Sequence, residues 1–148
     1  MNKDTQIALA IREFIDSEYA VDDPSKGFDC LNCLVRFFVR LGWQPPAEFE
    51  GWTLDNYGKR ALADPQGAHR MFERFVVTLG REIDRNYMLP GDLLVVTVNE
   101  PGTKRELGTY AGIYLGNGNA FFMFDKGGRV APWAIFVPFL KCVRRLID

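Results

Sequence analysis

The stretch from Gly27 to Gly42 constrains the fold of this chain more than any other. It follows the turn signal Pro24-Ser25-Lys26-Gly27, and its apolar residues recur at 30, 33/34, 37/38 and 41, the spacing of one buried helical face. Gly42 comes where helices commonly end, in the left-handed conformation that glycine adopts cheaply. The pattern predicts a central helix that begins at Cys30 and ends before Gly42.

Cys30 therefore lies in the first turn of the predicted helix. Backbone N–H groups in a first turn have no partner within the helix and carry partial positive charge, which favours a thiolate. A nucleophilic cysteine suits this position. A small packing residue suits it equally, because buried unreactive cysteines are common. The helix alone leaves both alternatives open.

Length and composition indicate one globular domain over residues 1–148. Hydrophobic residues make up 47% of the chain and aromatic residues 14%, which is enough for a substantial core. The net charge is −1 without a basic block, so we expect no nucleic-acid partner. No apolar run approaches the roughly 20 residues of a membrane span, and the N-terminus lacks a secretory pattern. We expect a cytoplasmic protein, although a phage-particle component or an effector exported by a specialised system would share these features.

Three cysteines are too few, and odd in number, for a disulfide framework. Cys30-Leu31-Asn32-Cys33 is a C-x-x-C, but the residues before it are turn-rich, whereas a redox motif follows a strand. Cys30, Cys33, His69 and Cys142 are suitable zinc-ligand types, but they lack the second closely spaced pair of a typical zinc site. A metal or redox module is the least favoured alternative, and we expect no cofactor and no metal.

Helical signals dominate the first half of the chain and strand signals the second. The pattern predicts helices over residues 5–17, capped by Asp4, and over residues 54–63 and 67–80. Residues 81–86 are charged and expected to be exposed. An antiparallel meander is predicted over residues 93–98, 107–115, 120–124, 129–130 and 140–147, with a hairpin turn at residues 116–119 and a helical turn at residues 132–136. This order predicts an α+β fold.

Three blocks of the sequence resemble the NlpC/P60 family, a branch of the papain-like cysteine peptidases that cleave peptide bonds in bacterial cell-wall stems. They are the stretch from Tyr19 to Gly42 with its Phe28-Asp29-Cys30, the strand entry Leu89-Pro90-Gly91-Asp92-Leu93, and Tyr110-Ala111-Gly112-Ile113-Tyr114-Leu115-Gly116-Asn117-Gly118, which is similar to the family's H-V-G-I-Y-L-G-N-G. Residues 43–88 have no counterpart. The resemblance implies a papain-like fold, with N-terminal helices packed on an antiparallel β-sheet.

The resemblance also implies a site, from which this chain departs. Cys30 occupies the nucleophile position, Tyr110 the position of the histidine base, and Phe122 the position of the residue that orients the base. Tyr19, Asp29 and Tyr110 are implied as binding residues. Tyrosine, with an ordinary pKa near ~10, is a poor base at neutral pH, and phenylalanine cannot orient a base by hydrogen bonding.

These departures favour a catalytically degenerate domain, whose groove near Cys30 binds a cell-wall peptide or a protein partner. A phage-tail or secretion-associated role follows by analogy. The alternative is an active cysteine hydrolase, an acyltransferase or a peptidoglycan endopeptidase, in which Cys30 works with a non-standard base. His69 is the only histidine, and we expect it to be a surface or half-buried histidine on a helix in the unmatched middle, which would have to cross the groove to reach Cys30. The sequence sets neither enzymatic activity nor oligomeric state.

Overall fold

The structure is a computed structural model that describes residues 1–23, 26, 27, 29–99, 102, 106–124 and 126–148. The turn at Pro24-Ser25 and the Phe28 of the first sequence block lie outside these residues. The described residues form the helices α1 (Lys3–Ile11), α2 (Cys30–Arg40), α3 (Leu54–Ala63) and α4 (Pro65–Val76). The strands are β1 (Arg81–Ile83), β2 (Leu93–Asn99), β3 (Glu106–Gly116), β4 (Asn119–Phe124), β5 (Gly127–Pro132) and β6 (Leu140–Arg145). The predicted α+β class is confirmed. No helix in the described part of the chain is both long and apolar enough to cross a membrane.

The strands form one antiparallel sheet in the order β1-β6-β2-β3-β4-β5. The prediction of a simple meander is wrong at one edge, because β6 returns to lie between β1 and β2. The charged segment after α4 is largely exposed, as expected, but it also contains a strand that was not predicted, because Arg81–Ile83 pairs with β6 at the sheet edge. Arg81 and Glu82 are exposed and Ile83 is buried, which suits a charged strand at the edge of a sheet.

The sheet is buried on both faces. Leu93 and Val95 of β2 pack with the helices, while Leu94 and Val96 pack on the opposite face with an aromatic cluster. Side chains alternate across a strand, so a continuous apolar run requires cover on both sides. The second cover is a 3₁₀ segment, Trp133–Phe139, which lies between β5 and β6.

Helix α2 has the bounds that its sequence pattern predicts. The Asp29 side chain caps its first turn by accepting a hydrogen bond from the Asn32 backbone N–H at 2.8 Å. Gly42 follows the last turn with a φ of +95°, the left-handed conformation expected for a terminating glycine. The inner face of α2 packs against β3 and β4, so Cys30 lies in the first turn of a helix that faces the sheet.

Helix α1 is shorter than predicted. Its cap is Asn2, whose Oδ1 accepts a hydrogen bond from the Thr5 N–H at 2.9 Å, and not Asp4. The helix ends at Ile11, after which Phe14 is still fully buried in the core. The apolar spacing continues past the end of the helix because the turn that follows Ile11 brings Phe14 into the core.

Candidate active site

The N-terminal end of α2 is built on a buried carboxyl group. Asp29 has 0% exposure, and its Oδ1 and Oδ2 accept hydrogen bonds from the backbone N–H and the side-chain Nδ2 of Asn32, both at 2.8 Å. Burial raises the pKa of Asp29, and the hydrogen bonds from Asn32 offset part of that rise. Asp29 thus fixes the start of the helix and places Cys30 at its first helical position.

Cys30 is half-buried and opens onto a cavity of about 170 Å³. We call this space the thiol cavity. It lies between the loop that precedes α2, the start of α2, and the helices α3 and α4. Its walls are Tyr19, Val21, Cys30, Tyr57, Ala61, Pro65, Ala68, His69 and Phe72. Two of the residues implied by the family resemblance, Cys30 and Tyr19, are therefore brought together.

The α3–α4 wall comes from the segment that the family resemblance leaves unmatched. Thr53 and Asn56 form a reciprocal capping box at the start of α3. Asp64 separates the two helices and caps α4 by accepting from the Gly67 N–H at 2.9 Å, with Pro65 at a first-turn position where proline is favoured. This short connection folds the start of α4 back beside α3 and into the cavity wall.

His69 lies on the first part of α4 and lines the thiol cavity together with Cys30. As expected, His69 is a surface histidine on a helix, with 43% of its side chain exposed, and the α3–α4 connection brings it to the rim of the cavity that Cys30 also lines. Its Nε2 lies 2.9 Å from Oε1 of Glu73, one helical turn further on. A Cβ on Gly108 would lie 3.4 Å from His69 Cε1 and 3.5 Å from Tyr110 Cε2, so the histidine ring also reaches β3 beside Tyr110.

Tyr110 and Phe122 pack on the opposite face of the sheet from α2 and do not line the thiol cavity. Phe122 is fully buried, with its ring 4.1 Å from that of Phe136 and stacked on Phe124 at 5.5 Å. Tyr110 contacts Phe124, also at 5.5 Å between ring centroids. Side chains alternate along β3, so that Ala111 belongs to the core packed with the helices, whereas Tyr110 belongs to the aromatic cluster and also meets the His69 ring at the Gly108 end of the strand.

Tyr57 is a cavity residue that the sequence analysis did not identify. It is buried at 6% exposure, and its pKa is raised chiefly by burial and also by the nearby Cys30 and Asp29. Its hydroxyl therefore stays protonated at neutral pH and can donate a hydrogen bond into the cavity. Tyr57 and Ala61 are spaced along α3 as residues of one helical face. This spacing predicts that both are buried, but it does not predict that they lie beside Cys30.

The remaining cysteines do not extend the site. Cys33 is buried at 2% exposure, and its pKa is raised well above the ordinary value by burial, with further contributions from Cys30 and Asp29. It is thus a packing thiol. Cys142 lies on β6. Among the residues that the structure describes, no three His, Cys, Asp or Glu side chains are grouped so that they could hold a metal ion.

No protein-family model matches the sequence, and no curated protein matches it. Solved structures do match. An NlpC/P60 family protein from Bacillus cereus aligns with 99% of this chain at a TM-score of 0.60 and 14% identity. NlpC2 from Trichomonas vaginalis aligns with 97% of the chain at a TM-score of 0.60 and 20% identity. A Staphylococcus aureus protein of the NLP/P60 family aligns with 100% of the chain at 0.60 and 15% identity. The chain spans 41–45% of the length of these structures. At such identities the likeness is one of fold, and the chain has an NlpC/P60-like fold.

Proposed function

We propose that the chain is a cysteine hydrolase or acyltransferase in which Cys30 is the nucleophile. The observation that carries this proposal is the position of Cys30, at the first turn of α2 and on the wall of a cavity. Cys33, one turn later, shows what a packing cysteine looks like in the same helix, because it is almost fully buried. A half-buried thiol at the positive end of a helix dipole suits nucleophilic attack.

The proposed reaction is acyl transfer in two steps. Cys30 Sγ attacks the carbonyl carbon of an amide or ester while a base takes the thiol proton. The bond from that carbon to nitrogen or oxygen breaks, the leaving group receives the proton, and an acyl thioester remains on Cys30. Water or an amine then attacks the thioester and restores the thiol. The positive end of α2 and the protonated Tyr57 hydroxyl would stabilise the oxyanion of each step.

The thiol cavity favours a small acyl group with little charge. Most of its lining side chains are apolar or aromatic, among them Val21, Ala61 and Phe72, and no lysine or arginine lines it among the residues that the structure describes. Peptides are the substrate class that the family resemblance suggests, and cell-wall stem peptides belong to this proposal on that ground alone. The proposal of a peptide substrate follows from the shared fold, and the proposal of acyl transfer follows from the chemistry of the site.

The test uses p-nitrophenyl acetate as the probe and mass spectrometry of the intact protein and its peptides. We expect one acetyl group on Cys30, release of p-nitrophenol beyond one equivalent, and loss of both in Cys30→Ala. Cys142 is the internal reference, because it is a half-buried thiol outside the cavity whose pKa is raised by burial. Acetylation of Cys30 no faster than that of Cys142 or of N-acetylcysteine would contradict the proposal.

A second candidate function is a catalytically degenerate domain that binds a cell-wall peptide or a protein partner near Cys30. The observation that favours it is the aromatic packing of Tyr110 and Phe122, which occupy the family positions of the base and its orienting residue. A phage-tail or secretion-associated setting rests on analogy. This candidate predicts binding of a stem peptide with equal affinity by the parent and by Cys30→Ala, without turnover in either, as measured by isothermal calorimetry and chromatography.

A further inference from the structure

We infer that His69 is the general base for Cys30, and that Glu73 is the residue that positions it. The inference rests on the proposed function and names the non-standard base that function needs. The base is then supplied by helix α4, from the segment that the family resemblance leaves unmatched, and not by the strand that carries Tyr110.

The first support is the shared cavity. Cys30 and His69 both line a space of about 170 Å³, although 38 residues separate them in the sequence. A compact space of that volume is about 7 Å across, wide enough for one small chemical group. An acyl group that fills this space would contact the thiol and the imidazole together, so that both groups border the reacting atoms.

The second support is the contact between His69 and Glu73. Because Nε2 lies 2.9 Å from Glu73 Oε1, the neutral imidazole carries its hydrogen on Nε2 and donates a hydrogen bond from it to the carboxylate. Nδ1 then carries the free lone pair of the ring and is the atom that can accept a proton. Glu73 also compensates the positive charge that the ring gains when it takes a proton, as orienting carboxylates do in nucleophile–base–carboxylate sites.

Cys30, His69, the substrate and water account for every proton transfer in the reaction. His69 Nδ1 takes the proton from Cys30 Sγ as sulfur attacks the carbonyl carbon, and gives it to the leaving nitrogen or oxygen as that bond breaks. In the second step Nδ1 takes a proton from the attacking water and returns it to Cys30 when the carbon–sulfur bond breaks. Glu73 stays ionised throughout, and nothing is oxidised or reduced.

Other titratable groups surround the pair. Tyr19 and Tyr57 share the cavity wall, Asp29 caps the helix of Cys30, and Tyr110 approaches the His69 ring from β3. Both carboxylate oxygens of Asp29 already accept hydrogen bonds from Asn32, and burial raises the pKa of Tyr57, so that its hydroxyl stays protonated near neutral pH. Among these groups the imidazole is the side chain most often used as a general base in enzymes.

The experiment compares the parent with His69→Gln, Glu73→Gln and Arg70→Gln. Arg70 is the matched control, because it is exposed and adjacent on the same helix. With p-nitrophenyl acetate at pH 7, we expect Cys30 acetylation to fall by about 100-fold or more in His69→Gln, and to be unchanged in Arg70→Gln. For Glu73→Gln we expect a smaller loss together with a shifted pH profile of iodoacetamide alkylation at Cys30, which a purely structural role would not produce. Thermal unfolding checks that each variant is folded.

The outcomes separate the inference from the function on which it rests. Equal acetylation rates in the parent, His69→Gln and Arg70→Gln, with the acyl thioester on Cys30, would overturn the inference and leave the proposed function standing. Absence of the thioester in the parent would overturn both. If the His69→Gln variant were unfolded, the Glu73→Gln variant would test the inference instead. An unchanged pH profile of Cys30 alkylation in Glu73→Gln would contradict the pairing of Glu73 with an active base.

Discussion

Ala61→Leu tests whether the thiol cavity is where chemistry occurs. Ala61 is 8% exposed on α3 and lines the cavity of about 170 Å³. The change adds three carbon-sized groups of roughly 30 Å³ each, comparable to the share of one water molecule in the liquid, and so fills about half of the space. We expect acetylation of Cys30 by p-nitrophenyl acetate to fall at least about tenfold, because the acyl group and the new side chain compete for one volume.

The stability of this variant follows from the same geometry. Burial of the added carbons contributes about 0.8 kcal/mol each, and local overpacking costs about 1–3 kcal/mol. The two terms nearly cancel, so the midpoint of thermal unfolding should move by no more than about 6 °C. Ala63→Leu is the matched control, since Ala63 is exposed on the same helix. A folded Ala61→Leu variant that reacts as fast as Ala63→Leu would refute the assignment of the cavity as the reaction site.

Three further predictions concern the elements that hold the site. Asp29→Asn keeps a cap acceptor and removes a buried charge. Because the pKa of Asp29 in the folded state is raised from its ordinary 3.8, ionisation of Asp29 costs folding stability as pH rises through the folded pKa. The free energy of urea unfolding of Asn relative to Asp should therefore increase between pH 4 and pH 7, and a constant difference would contradict this. Arg145→Met removes two hydrogen bonds of 2.8 Å from the Asp92 carboxylate, which is 1% exposed, and should cost about 3–5 kcal/mol in the same assay. Gly112→Ala places a Cβ against the ring of Phe122 and should cost about 1–3 kcal/mol, less in a Phe122→Leu background.

The parts of the fold that local signals specify were predictable from the sequence. The bounds of α2 follow from its apolar spacing, its capping aspartate and its terminal glycine, and Leu54–Ala63 is the helix expected before Asp64-Pro65. The hairpin between β3 and β4 was equally clear, because Asn117 and Gly118 tolerate the positive φ values of 53° and 76° that they adopt. In each case the deciding interactions lie within a few residues along the chain.

Long-range packing explains what the sequence did not reveal. The edge strand β1 exists because Arg81–Ile83 finds a partner in β6, near the other end of the chain. The position of His69 depends on how the α3–α4 pair folds against the sheet, and its helical periodicity indicates only which side of α4 is buried. The family motif places Tyr110 at the base position, but it does not specify the contact that the Tyr110 ring makes with Phe124 of the neighbouring strand.

The most direct test of the account is a cross-link between Cys30 and His69. The reagent 1,3-dibromoacetone carries two reactive carbons joined by one carbonyl, so it bridges only nucleophiles that lie a few ångströms apart. We predict that digestion of the treated protein yields a peptide containing Cys30 joined to a peptide containing His69, and that Cys30→Ala and His69→Gln each abolish it, whereas Arg70→Gln does not. Alkylation of Cys30 without any link to His69 would contradict the central claim that the thiol and the imidazole form one site.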